Sequence, residues 1–200
     1  MNNLPEISVV VLAAGRSTRM GTSKLSLPWD GSSVIGTVCQ KFHDFGVEDI
    51  VVVLGGYADE VQDALRKLDF YRGITIRKNE DPVNSEMIDS MKIGLGGISQ
   101  NSRYVFIALG DNPQVSGEVI TEMIKNRESA PIIIPSFQMR RGHPWLVSRS
   151  LIKSLLSVPA GKTMRDWLNS HADEIFYLSA DRSVLMDLDT PADYNAGNSV

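Results

Sequence analysis

The sequence predicts an α/β fold, a three-layer α/β/α arrangement around a mostly parallel mixed sheet. Segments of strand and helix character alternate along nearly the whole chain. The strands at residues 7–12, 49–54 and 103–109 are near-continuous apolar runs, as expected of strands covered on both faces. No internal repeat, low-complexity stretch or linker interrupts them, so residues 1–200 are expected to form a single domain. At 200 residues, 42% hydrophobic and 22% charged, the chain is long enough for a sizeable core.

Each element has a local reason. Residues 7–12 form the first strand. Residues 33–45 read as a helix because Val34, Val38 and Phe42 recur at helical spacing, and Gly46 ends it. The strand at 49–54 stops at Gly55-Gly56, and a helix at 58–68 turns Val61, Ala64, Leu65 and Leu68 inward. A short strand at 74–77 precedes a helix at 85–95, with Ser85 as its expected N-cap. The strand at 103–109 ends at Gly110-Asp111, and a helix follows at 117–126. Residues 131–135 and 144–147 are strands on either side of the Arg140-Arg141-Gly142 turn. Helices are expected at 151–156 and 163–171, then strands at 174–178 and 184–187 that close the sheet. Thr190-Pro191-Ala192-Asp193 is a capping box with proline at the first helical position, so a final helix starts there.

The formal charge of −4 argues against nucleic-acid or anionic-membrane partners, so any polyanion must be held by a local basic site. Cys39, the single cysteine, excludes an intrachain disulfide and reads as a packed core thiol. The first six residues are too short and polar for a signal peptide, and no apolar run approaches the roughly 20 residues of a membrane span. The expected compartment is cytoplasmic.

Leu12-Ala13-Ala14-Gly15-Arg16-Ser17-Thr18-Arg19-Met20-Gly21-Thr22-Ser23-Lys24 is the most informative stretch. A buried strand feeds a loop of small residues carrying two arginines and a lysine. Small residues let backbone N–H groups approach an anion, and the cations neutralise it. This is not a P-loop, because Thr22 and Ser23 separate Gly21 from Lys24. It is not a dinucleotide fingerprint either, for want of a third glycine opening a helix. In open α/β sheets ligands bind beyond the carboxyl ends of the strands. This loop, Gly55-Gly56, Asp111 and the pair Asp187/Asp189 are all expected at such ends.

The loop reads small-Ala-Gly, three residues, Arg-Met-Gly, two residues, Lys, and it resembles the MobA-like nucleotidyltransferases, most of all those that attach a nucleotide to molybdopterin. The resemblance runs from Ile7 to Asp193 and implies the nucleotide-diphospho-sugar transferase (GT-A-like) fold, with a nucleotide-binding half at about 1–115 and an acceptor half at about 116–200. It implies transfer of a nucleotide to the phosphate of molybdopterin, with Mg²⁺ as cofactor. It also implies a molybdoenzyme of xanthine dehydrogenase type as a partner.

Carried over residue by residue, the resemblance assigns Lys24 to the α-phosphate and Arg19 to the leaving pyrophosphate, with Leu12, Ala13, Ala14, Gly15, Gly21 and Asn79 lining the nucleotide. Arg16 is expected there too, or else faces water as a loop cation, and Gly56, from its place after the strand at 49–54, is expected close to the base or ribose. Asp111, in the family's Gly-Asp-x-Pro frame, is the expected metal ligand, with Asn112 in the x position. Asp189, in Asp187-Leu188-Asp189-Thr190-Pro191, is the second ligand expected, or else a carboxylate placed by a helix N-terminus. Gly142-His143-Pro144 is the family's acceptor-side element. His143, Arg141 and Ser85 are therefore expected at the acceptor, although Arg140 and Arg141 equally suit an exposed turn. Asn79 has an alternative as a turn residue before Asp81-Pro82, and Gly55-Gly56 as a plain strand-to-helix turn. His43, His171 and the three tryptophans read as structural.

The sequence departs from the family at Asn84-Ser85-Glu86-Met87-Ile88-Asp89, where Glu86 and Asp89 bring negative charge to a helix start that would otherwise suit an anion. In the family Leu-Ala-Ala-Gly goes with CTP and Leu-Ala-Gly-Gly with GTP, so Ala14 points to CTP, its methyl crowding a purine more than a pyrimidine. Two other enzyme readings are a GTP-using molybdopterin guanylyltransferase and a cytidylyltransferase on another phosphorylated small molecule. A non-enzymatic reading is a cofactor-binding or delivery protein for a molybdoenzyme.

Overall fold

The computed structural model describes residues 4, 6–15 and 23–198. Ten strands are described: β1 (Ile7–Ala13), β2 (Pro28–Trp29), β3 (Ser32–Ser33), β4 (Asp49–Leu54), β5 (Ile74–Lys78), β6 (Tyr104–Leu109), β7 (Ile132–Phe137), β8 (Arg140–Arg141), β9 (Trp145–Ser148) and β10 (Ile175–Ser179). The helices are α1 (Val34–Asp44), α2 (Ala58–Leu65), α3 (Met87–Leu95), α4 (Gly117–Lys125), α5 (Ile152–Leu156), α6 (Met164–Ser170) and α7 (Pro191–Gly197).

The main sheet has the order β10-β7-β9-β6-β1-β4-β5, with β8 hairpinned onto β7. Strands β5, β4, β1 and β6 are mutually parallel. β9 runs antiparallel to both β6 and β7, and β10 is parallel to β7. The register pairs Ala13 with Leu54 and Leu12 with Leu109, so the carboxyl ends of β1, β4 and β6 share one edge. The chain builds outward from β1 through β4 to β5, then returns to add β6 on the other side. That reversal puts the crevice of a switch point between β1 and β6.

Period-two alternation splits the core between the two faces. Val9 and Val11 of β1, Ile50 and Val52 of β4, and Phe106 of β6 pack with Val38 and Phe42 of α1, Leu65 of α2 and Ile120 of α4. Their neighbours Val10, Val51, Val53 and Ile107 pack with Met91 of α3, Leu155 of α5 and Trp167 of α6. This is the expected three-layer arrangement, with helices on both faces of a mixed, mostly parallel sheet. Cys39 is fully buried within it, and burial pushes its thiol up to about 12, so it is inert.

Four local expectations are corrected. Residues 184–187 are not a closing strand: Arg182–Leu185 is a 3₁₀ turn. The Asp181 carboxylate caps it, accepting from the Ser183 N–H at 2.7 Å, and this local bond outcompetes a sheet ladder. Asp187 and Asp189 therefore follow that turn and not the last strand, which is β10. Ser85 is not the N-cap of α3. Glu86 is, and the Asp89 carboxylate accepts from its N–H at 2.9 Å, while the Ser85 hydroxyl accepts from Asn79. The two acids that set this segment apart in sequence are thus a helix-capping pair. Finally, β2 and β3 form a hairpin in a segment without an assigned strand, its turn made by Asp30 and Gly31 in the left-handed region (φ 44° and 74°).

Candidate active site

Lys24, Asp111 and Asp189 are 165 residues apart at the extremes and come together at the carboxyl edge of the sheet. Lys24 opens a 3₁₀ turn that follows the loop leaving β1. Its Nζ lies 2.5 Å from Asp111 Oδ2 and 3.4 Å from Asp189 Oδ1. The lysine side chain is only 12% exposed, against 61% for Asp189, so the cation is the sheltered member and the carboxylates flank it.

The backbone fixes Asp111 from both sides. The Gly110 N–H donates to the Leu12 carbonyl at 2.9 Å, which ties the end of β6 to the end of β1. The Leu188 N–H donates to the Asp111 carbonyl at 3.1 Å, and Leu188 itself is fully buried. That anchor holds Asp187 and Asp189 beside Asp111. Lys41 of α1 donates to the carbonyls of Pro113 (2.8 Å) and Val115 (2.5 Å), pinning the loop after Asp111. Burial holds the Lys41 ammonium below its usual range, opposed by the Asp30 charge.

Asp187, the other acid of the Asp-x-Asp pair and not the one expected as a ligand, belongs to the same cluster. It is half-buried, and its carboxyl is pushed up to about 6 by burial, then by the charges of Asp111 and Asp189, with Lys24 opposing. Its signal in sequence was its place in the Asp-x-Asp pair, which does not say which acid is sheltered. Three carboxylates around one ammonium leave excess negative charge, and their hard oxygens suit Mg²⁺ or Mn²⁺. Among the described residues no three potential ligands converge closely enough to enclose an ion unaided. The donor set therefore fits a divalent cation that takes its remaining ligands from substrate oxygens and water.

The other expected site residues divide between this edge and the rest of the fold. Leu12, Ala13, Ala14 and Gly15 lie at the end of β1, beside the cluster. A Cβ on Gly55 would stand 2.4 Å from the Ala14 carbonyl oxygen, so the turn after β4 closes directly on this loop. Gly56 is exposed next to it. Arg16, Arg19 and Gly21 lie outside the described residues. Asn79 follows β5, donating to Ser85 Oγ (2.6 Å) and Ser90 Oγ (3.0 Å) and accepting from the Asp81 N–H (3.1 Å). Its amide, and Ser85 with it, knit the loop before α3. His143 stacks on Trp145 at 4.6 Å between ring centroids, with Nε2 buried, and burial pushes its imidazole down to about 4. It shares a cavity of about 10 Å³ with Asn112, the neighbour of Asp111. Arg141 turns outward, donating to the Tyr177 hydroxyl at 2.9 Å and lying over its ring.

Residues 9–175 match the sequence model of the MobA-like NTP transferase domain. The chain belongs to this family. Among MobA-like relatives, the molybdenum cofactor cytidylyltransferase of Escherichia coli K12 is 26% identical over 94% of this chain and 93% of its own length. A probable molybdenum cofactor guanylyltransferase of Natranaerobius thermophilus is 30% identical over 64% of this chain and 60% of its own length. Among solved structures, the Rv0371c protein of Mycobacterium tuberculosis H37Rv in complex with manganese superposes with a TM-score of 0.80 at 28% identity, covering 98% of this chain and 100% of that one. The chain is a MobA-like nucleotidyltransferase related to the molybdenum cofactor cytidylyl- and guanylyltransferases. Among the described residues no helix is long and apolar enough to cross a membrane.

Proposed function

We propose that the protein transfers CMP from CTP to the phosphate of molybdopterin, forming the cytosine dinucleotide cofactor and releasing pyrophosphate, with Mg²⁺ as the working cation. The observation that carries this reading is the Lys24 ammonium held between Asp111 and Asp189 at the β1/β6 crevice. An acceptor phosphate oxygen attacks the α-phosphorus of the nucleotide, one P–O bond forms, and the bond to the pyrophosphate oxygen breaks. Two anions must approach, so the chemistry needs fixed positive charge where they meet. Lys24 supplies it. Its sheltered position strengthens that charge relative to a solvated one, and Asp111 and Asp189 aim the ammonium. The end of β1 and the residues that follow it, Leu12 to Gly15, are proposed to offer backbone N–H groups to the phosphates, and Arg19 is the cation proposed for the leaving pyrophosphate. Asp111, with Asp187 or Asp189, would hold Mg²⁺, which when bound neutralises charge on the reacting phosphates.

Ala14 supports CTP over GTP. The Ala14 carbonyl abuts Gly55, so the loop has no slack there to retreat from a larger base. The guanylyltransferase relative supports GTP as the second reading. Incubation with each nucleoside triphosphate, Mg²⁺ and molybdopterin, with pyrophosphate release as readout, separates them. The expected result is release with CTP and little with GTP. Release with GTP alone would replace the base assignment, and release only with another phosphorylated acceptor would replace molybdopterin. Tight binding of triphosphate or pterin without any release would point to the delivery role.

A further inference from the structure

Beside the Lys24–carboxylate cluster lies a second cavity of about 640 Å³, within the range of small-molecule sites. Arg140 and Arg182 line it, together with Phe137, Gln138, Leu185 and Asp187. Asp187 also feels the charges of Asp111, Asp189 and Lys24, so one residue is shared between the cavity wall and the cluster. We infer that Arg140 and Arg182 are the acceptor's anion-binding pair, receiving a negatively charged small molecule whose apolar body lies against Phe137 and Leu185. This rests on the transferase reading for the word acceptor. The anion site itself does not.

The geometry that brings the two arginines together is specific. Adjacent residues of a strand face opposite sides, so Arg140 and Arg141 of β8 cannot both serve the cavity. Arg141 is engaged by Tyr177 on the outer edge, and Arg140 is the one that lines the cavity. Arg182 comes from the 3₁₀ turn that replaced the expected strand. That turn is fastened to the hairpin exit: the His143 N–H donates to the Val184 carbonyl at 3.0 Å. A Cβ on Gly142 would sit 2.4 Å from Val184 Cγ2 and 2.5 Å from its carbonyl oxygen, so only glycine permits the approach. Among the described residues neither Arg140 nor Arg182 has an ion-pair partner. The other acid on the cavity wall, Asp193, accepts from the Thr190 N–H and hydroxyl at the start of α7. Two exposed guanidiniums sharing one cavity suit a phosphate or carboxylate, which each can grip through a two-pronged contact.

The test reads the arginines directly and then through kinetics. In the full-length protein, the guanidinium Nε–Hε signals of Arg140 and Arg182 should shift on titration with inorganic phosphate, while that of Arg66, paired with Asp63, stays in place. In the assay with molybdopterin, the double variant Arg140→Ala/Arg182→Ala should raise KM for the acceptor at least about tenfold with KM for CTP unchanged. Arg140→Lys/Arg182→Lys should recover part of the loss. Silent arginine signals, or a double variant with an unchanged acceptor KM, would overturn the pair. Shifted signals in a protein that releases pyrophosphate with no acceptor would leave the anion site standing and remove the transferase reading.

Discussion

The two ends of the sheet obey different rules. On the β5–β4–β1–β6 side the strands are parallel and their buried aliphatics form continuous ladders, with strand ends aligned by register. On the β9–β7–β10 side the sheet is mixed, β9 running against both of its neighbours while β10 is parallel to β7, and the cavity wall is assembled from a two-residue hairpin turn and a 3₁₀ turn. The hairpin turn between β7 and β8 places Gln138 and Met139 in the left-handed region, at φ 49° and 63°, a conformation that residues other than glycine and asparagine rarely adopt. The parallel side delivers loop ends to a fixed edge, which suits recognition of the phosphates common to every nucleoside triphosphate. The mixed side tolerates irregular backbone, which lets a separate cavity form there, the one proposed for the acceptor.

This contrast can be broken at several strengths. The largest effect is expected at the parallel edge. Asp111→Ala should lower Mg²⁺-dependent pyrophosphate release by about 10³-fold and Lys24→Ala by about 10²-fold, with thermal unfolding little changed. A folded Asp111→Ala enzyme with near-normal turnover would end the claim that this edge carries the chemistry.

Asp187 joins the two regions, and its effect is on stability. Its folded carboxyl sits at about 6 against an ordinary 3.8, so between these values the native state holds a proton that the unfolded chain has released. Its stabilising contribution is fully present below the unfolded value and is lost as pH rises through about 6. Asp187→Asn should therefore be more stable than the parent at pH 8 by up to about 2 kcal/mol, after allowance for solvent screening. The gain should fade towards pH 4, as followed by urea denaturation across pH. A pH-independent difference would show that burial of the Asp187 charge, with repulsion from Asp111 and Asp189, is not its source.

Removing the Lys41 tether should cost a comparable amount by a different route. Lys41→Met strips two donors from the Pro113 and Val115 carbonyls, and a loss of about 1–3 kcal/mol is expected, accompanied by slower turnover as the loop after Asp111 loosens. Turnover lost without stability, or stability without turnover, would separate anchoring of the loop from positioning of Asp111. The smallest effect is at the hairpin tip. Met139 is 97% exposed, so Met139→Gly should relieve the left-handed strain and stabilise by about 1 kcal/mol, with activity unchanged. Destabilisation there would mean that the exposed side chain contributes more than its backbone costs.

Much of the fold was legible because its signals are local. The apolar runs at 49–54 and 103–109 coincide with β4 and nearly with β6, and the Thr190–Asp193 capping box marks the start of α7. The errors fall where two local preferences compete. At 184–187 the apolar residues suggested a strand, but an Asp–Ser cap upstream favoured a turn, and Val184 found its burial against Gly142. At Ser85 the better-known capping residue yielded to Glu86, because Asn79 had already engaged the serine hydroxyl.

For the site, the residues by themselves established its ingredients: a small-residue loop with cations after β1, and acids beyond other strands and turns. The spacing of those groups along the chain carries no information about distance in space. Tertiary structure alone decided that Lys24 lies between Asp111 and Asp189, that Asp187 is the sheltered acid, and that Arg140 faces the cavity while Arg141 faces Tyr177. The physical reason is that burial and charge act through space. Whether an acid is shielded, or which of two neighbouring arginines meets a ligand, depends on what the rest of the chain packs against it.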